Sequence, residues 1–233
     1  MNSTDCPCSR VLARRVGVGR VAAALRADGH DVTALTLPGL ESTDADRSSI
    51  TLADHVDAIC EAVTAAGPPV VLAVHSGAGA PGYAVTDRIP EQIAAMVYVD
   101  TGPARGALDP DFDAVEKPLS TREELAEEEN LDGLTEEQLE TFRRRAVPEP
   151  GAALRDAADE RRAPRRAEHG RVHRVHLRAV QKCRQGGLRV CRRPRRAARV
   201  SWVDLPTSHW PMWSRPQELA GIIGDIAQGA SPV

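Results

Sequence analysis

Aromatic residues are scarce in this chain: Phe, Trp and Tyr make up 3% of its 233 residues, and none of them falls within residues 6–20 or 161–199. Long apolar runs are also missing. No stretch approaches the roughly 20 residues needed to cross a bilayer, and the N-terminus lacks the charged, apolar, small-residue succession of a secretory signal. The expectation is a cytoplasmic protein with no membrane partner. The cysteines, Cys6, Cys8, Cys60, Cys183 and Cys191, are odd in number and irregularly spaced, which argues against a disulfide framework.

What is present is enough for one sizeable core, and α/β domains routinely reach this length, so a single domain spanning 1–233 is expected. Val21 to Asp28 reads as the end of a helix stopped by Gly29, and Val32 to Leu37 as a β-branched strand closed by the Pro38-Gly39 turn. Thr51 can cap a helix whose Leu52, Val56, Ile59 and Val63 share one face, ending at Gly67, Pro68 and Pro69. Val70 to Val74 and Ile93 to Val99 are short and almost uniformly apolar, the pattern of strands buried on both faces. Strands alternating with helices imply a mostly parallel sheet flanked by helices.

From about residue 108 to 150 the chain turns acidic and helical, with start signals at Ser120-x-x-Glu123 and Thr135-x-x-Gln138. That composition suits a small helical cap, with Glu123 to Glu129 as a solvated helix face. Val200 to Leu205 reads as a last strand with Asp204 inside it, and Ser214-Arg215-Pro216-Gln217 opens an amphipathic helix carrying Leu219, Ile222, Ile223 and Ile226.

Two places carry chemistry. Ser76 stands at the C-terminal end of a buried strand, between His75 and Gly77, before a small-residue helical segment from Gly77 to Tyr83. Leu205-Pro206-Thr207-Ser208-His209-Trp210-Pro211-Met212-Trp213 follows the last strand directly. Together they resemble the nucleophile elbow and histidine loop of the α/β-hydrolases. Ala78 fits the last place of the small-x-Ser-x-small pattern, whereas Val74 stands where glycine is usual. The resemblance covers roughly Val21 to Gly151 and Val200 to Ile226. It implies Ser76 as nucleophile, His209 as general base, and Gly77 as an oxyanion-hole donor through its backbone N–H. The acid follows either the strand after the nucleophile helix or the penultimate strand. Asp100 occupies the first of these places, where it could equally cap the turn Thr101-Gly102-Pro103.

Leu37-Pro38-Gly39-Leu40, the acidic cap and the loop from Ser208 to Trp213 look closest to the plant-type methyl esterase and hydroxynitrile lyase branch. That implies hydrolysis of a small carboxylic ester through an acyl-enzyme, with no metal or organic cofactor. The same triad could instead serve a lyase that deprotonates a cyanohydrin, and a damaged, non-catalytic homologue is a third reading.

Two stretches depart from the family. Cys6 to Arg20 contains no clear strand and no Pro-Gly or His-Gly loop for a second oxyanion donor. Residues 161–199 hold 15 of the 30 Lys and Arg residues and one acid, Glu168, where a core strand and helix belong. The N-terminal strand and the penultimate strand and helix are therefore expected to be disrupted. A one-nucleotide shift offers a cause. GC-rich codons for Cys6 to Val18 can then yield Ala-Arg-Val-Pro-Gly-Phe-Trp-Leu-Gly-Ala-Trp-Ala-Trp, and those for Glu168 to Ala198 a strand, a turn and an amphipathic helix. The wobble base becomes the middle base of each new codon, so several residues fit each position. The restored second stretch has no carboxylate straight after its strand, which favours Asp100 as the acid.

Arginine at this density could neutralise phosphates, but the tract has no aromatic for base stacking, so nucleic acid is not the expected partner. His169, His173, His176, Cys183 and Cys191 match no usual zinc spacing. Gly17-x-Gly19 lacks the third glycine and the preceding strand of a dinucleotide site.

Overall fold

A computed structural model describes residues 10–14, 17–157, 173–178 and 200–229. Strand β1 (Arg10–Arg14) leads through helix α1 (Gly19–Ala27) to β2 (Asp31–Leu35), and α2 (Leu52–Ala66) leads to β3 (Val70–His75). A 3₁₀ turn at Ser76–Ala78 and helix α3 (Gly79–Arg88) separate β3 from β4 (Ile93–Val99). The cap segment holds β5 (Glu116–Lys117), α4 (Arg122–Glu128), α5 (Glu136–Arg145), β6 (Glu149–Pro150) and α6 (Gly151–Arg155). Then come β7 (His173–Arg178), β8 (Val200–Asp204), α7 (Pro211–Ser214) and α8 (Pro216–Gly229).

Six strands form a parallel sheet in the order β2-β1-β3-β4-β7-β8, while β5 and β6 pair as a small antiparallel ribbon. The apolar run of β3 splits by residue parity between the two faces. Val71 and Ala73 pack with Val21, Leu25, Leu219 and Ile223 of α1 and α8. Val70, Leu72 and Val74 pack with Val56, Ile59, Val63 and Val85 of α2 and α3. Both faces are covered, which is why the strand needs no polar alternation.

The helices start where their caps allow. Thr51 and Asp54 form a reciprocal capping box at the head of α2, and Thr135 and Gln138 do the same for α5. Helix α4 begins one residue later than the expected Ser120 signal: Thr121 caps it, with Glu124 reaching back to the Thr121 backbone N–H. Either hydroxyl fits the sequence signal, and only the backbone geometry distinguishes them.

Chain also runs as strand in both places where the sequence carries no strand signal. Strand β1 lies between β2 and β3, and β7 between β4 and β8. A parallel ladder is made of backbone N–H and C=O groups, so neighbours on both sides recruit these segments whatever their side chains. The rest of Cys6 to Arg20 before Gly17, the helix expected after β7, and His169, Cys183 and Cys191 lie outside the described residues.

Arg47 ties the cap to the body. It is 3% exposed and donates to the carbonyls of Ser42, Thr43, Ala45 and Pro148 and to the carboxylate of Glu116. A buried guanidinium is tolerated because its donors are widely satisfied. Among the described residues no helix is long and apolar enough to cross a membrane.

Candidate active site

Ser76 emerges from β3 with φ 49°, in the left-handed region that side chains other than glycine rarely enter. Such a conformation costs about 1–3 kcal/mol and persists only where the surroundings enforce it. Here a strand buried on both faces arrives from one side and α3 departs on the other. The Thr101 hydroxyl donates to the Ser76 carbonyl at 2.9 Å. Gly79 makes the approach possible, because a Cβ there would lie 2.5 Å from Thr101 Oγ1 and 2.8 Å from the Gly102 carbonyl oxygen.

The valine that stands in place of the usual elbow glycine is accommodated from the opposite side. Gly82 of α3 faces Val74, and a Cβ on Gly82 would fall 2.6 Å from Val74 Cγ1. The small residue that allows the close helix–strand approach here is on the helix.

Asp100, directly after β4, is the second left-handed residue of the site, with φ 44°. Its carboxylate lies 2.5 Å from His209 Nδ1. That contact fixes which imidazole nitrogen carries hydrogen and leaves Nε2 for proton transfer. The turn-capping alternative for Asp100 thus gives way to the histidine contact. Asp204 ends β8 and has no part in this pair.

His209 is 7% exposed and is held on every side. Its backbone N–H donates to the Asn130 carbonyl at 2.7 Å, and its own carbonyl is 2.7 Å from His75 Nε2. The rings of His75 and His209 lie 4.7 Å apart. Preceding it, Thr207 and Ser208 both meet the Ser214 hydroxyl, and Ser208 Oγ accepts the Trp210 backbone N–H. After it, Trp210 packs against Phe142 of α5 with ring centroids 4.7 Å apart. The loop is thereby pinned between sheet and cap.

Ser76 joins this pair through the neighbours of each residue, by way of Thr101 beside Asp100 and His75 before the serine. Among the described residues no hydrogen bond joins Ser76 directly to His209. In unliganded hydrolases that bond is often long and tightens only with substrate. Gly77 lies under the cap: Leu108 Cδ1 and the Glu149 carboxylate oxygens come within 3.6–3.8 Å of where its Cβ would be. Residues 15–16, directly after β1, where the family carries its second oxyanion donor, lie outside the described residues.

Several participants escaped the sequence reading. Glu129 is not part of a solvated helix face: it is half-buried, with Oε2 3.5 Å from His209 Nδ1. Burial pushes its carboxyl above the ordinary glutamate range, with Asp100 and Glu128 adding to the rise and His209 opposing it. Asn130, whose amide donates to the Thr207 carbonyl at 2.9 Å, and His75 were also not anticipated as supports of the loop. An acidic run gives no hint of which member turns inward.

Comparison with known proteins agrees with this fold. No curated protein matches the chain. Among solved structures, an extracellular α/β-hydrolase from a Paenibacillus species matches with TM-score 0.68 at 17% identity, covering 94% of this chain and 99% of that one. Tomato methylketone synthase I, complexed with 2-tridecanone, matches with TM-score 0.67 at 18% identity, over 96% and 98% of the two chains. A pyrethroid hydrolase from Sphingobium faniae JZ-2 matches with TM-score 0.61 at 18% identity, over 94% and 97%. At these identities the likeness is one of fold. The sequence pattern of the Alpha/beta hydrolase family matches residues 12–222, and with the sheet order and the elbow in place the chain belongs to the α/β-hydrolase family.

Proposed function

We propose that the protein is a serine hydrolase of small carboxylic esters, acting through Ser76, His209 and Asp100. The observation that carries this reading is the Asp100–His209 contact at 2.5 Å, formed beside a serine held in a left-handed elbow. His209 Nε2 takes the Ser76 proton as Oγ bonds to the ester carbonyl carbon, and the carbonyl oxygen becomes an oxyanion. In this reading the Gly77 N–H donates to that oxyanion. When the tetrahedral intermediate collapses, the C–O bond to the alcohol breaks, and the alcohol leaves with the proton from His209. Water, deprotonated by the same imidazole, then attacks the acyl carbon and frees Ser76. Asp100 stays ionised and stabilises the imidazolium in both halves.

The sequence of one domain with a short cap supports a small substrate, and no cofactor is required by these steps. Burst release of chromophore from a 4-nitrophenyl ester, absent in Ser76→Ala, is the expected result. Cyanide release from a cyanohydrin without an acyl intermediate would replace hydrolase by lyase. Loss of neither activity on Ser76→Ala substitution, because none is present, would make the chain a non-catalytic homologue.

A further inference from the structure

His209 Nδ1 is approached by two carboxylates from different parts of the chain. Asp100 Oδ2, at the end of β4, is 2.5 Å away and Glu129 Oε2, just after α4, is 3.5 Å away. The first distance is a hydrogen bond. The second is too long for a good one but well within the range at which an opposite charge stabilises an imidazolium, particularly near a buried ring. We propose that Glu129 is a positioning residue for His209, a second carboxylate carried by the cap that supports the imidazolium and takes over the Nδ1 hydrogen when Asp100 cannot accept it. This rests on His209 acting as the general base.

The geometry makes Glu129 more than a bystander. Its neighbour Asn130 accepts the His209 backbone N–H at 2.7 Å and donates to the Thr207 carbonyl at 2.9 Å. The segments that carry Glu129 and His209 are therefore tied through Asn130 by one main-chain bond and one side-chain bond. Glu129 is also 29% exposed, so part of its charge remains solvated and a carboxylate there is tolerated. The other titratable groups facing the pair are His75, whose ring is tilted 44° to that of His209, and Glu128, the exposed residue directly before Glu129. The histidine's electrostatic surroundings are thus partly supplied by the cap.

The test is a double-mutant cycle with a spectroscopic arm. Glu129→Gln, which keeps size without charge, and Glu129→Ala are each made alone and together with Asp100→Asn. Hydrolysis of 4-nitrophenyl acetate is expected to fall less than 3-fold in kcat when Asp100 is present and at least 10-fold when it is Asn, with KM unchanged. Equal factors in both backgrounds would overturn the proposal, because a merely structural Glu129 would act independently of Asp100. The spectroscopic arm uses ¹⁵N-histidine spectra, with His209 assigned by His209→Gln. Nδ1 is expected to remain protonated in Asp100→Asn and to lose that preference in Asp100→Asn/Glu129→Ala. An unchanged tautomer in the double variant would also overturn it. This arm needs no turnover, so it decides the role of Glu129 even if the wild-type chain hydrolyses no ester.

Discussion

Asp100 and His209 are 109 residues apart in the chain, yet their side chains meet at 2.5 Å. The two strands that carry them, β4 and β8, are not neighbours, since β7 lies between them. The contact therefore depends on loops leaving the same edge of a parallel sheet, where all strand ends point one way. Asp100→Asn is expected to lower kcat for an activated ester by about 10²- to 10⁴-fold, since the imidazolium loses its hydrogen-bonded countercharge even with Glu129 still holding the Nδ1 hydrogen. Stopped-flow and steady-state assays on the same preparation would check it. A loss under 3-fold would remove Asp100 from the triad.

Val74 and Gly82 form a complementary pair across the elbow. Gly82→Ala is expected to cost about 1–3 kcal/mol through overpacking against Val74, read as a lower urea midpoint. Val74→Ala in the same chain should recover part of that loss, giving a clear coupling energy. Strict additivity of the two substitutions would show that the helix has room to shift.

Thr51 and Asp54 cap α2, and Thr51→Ala is expected to lower stability by about 1 kcal/mol. The hydrogen bonds that Asp54 accepts from the Thr51 side chain and backbone hold its carboxyl below the ordinary range. A depressed folded-state pKa means that this stabilisation is complete above the unfolded carboxylate range and is lost as pH falls through the folded value. Urea titrations should show Asp54→Asn less stable than the parent at pH 7, with the difference shrinking towards pH 3. A gap independent of pH would reject the ionic part of the cap.

Strands β1 and β7 each pair on both sides, a setting that calls for near-continuous apolar sequence. Their sequences are Arg-Val-Leu-Ala-Arg and His-Arg-Val-His-Leu-Arg. Resequencing the coding DNA across codons 1–20 and 145–200 is expected to reveal compensating single-base insertions or deletions in both stretches. The chain with the restored frame should then unfold at higher urea than the chain with the arginine-rich segment. Confirmation of the present reading frame would leave a catalytic apparatus on a weakened sheet, with low activity.

Much of the framework was legible in the residues themselves. The uninterrupted apolar runs of β3 and β4 specified buried strands, Thr51 and Thr135 marked helix starts, and chain order with flanking elements singled out Ser76 and His209. These are local signals, because periodicity, capping and turn chemistry act within a few residues. Tertiary structure alone decided the rest. It chose Thr121 over Ser120 as a cap and turned Asp100 towards His209 rather than its own turn. It also brought Glu129 inward from an acidic run, and it let Gly82 make room for Val74. Each of these depends on which distant group occupies the neighbouring space, and pairing between remote backbones can place a strand where side chains carry no signal for one.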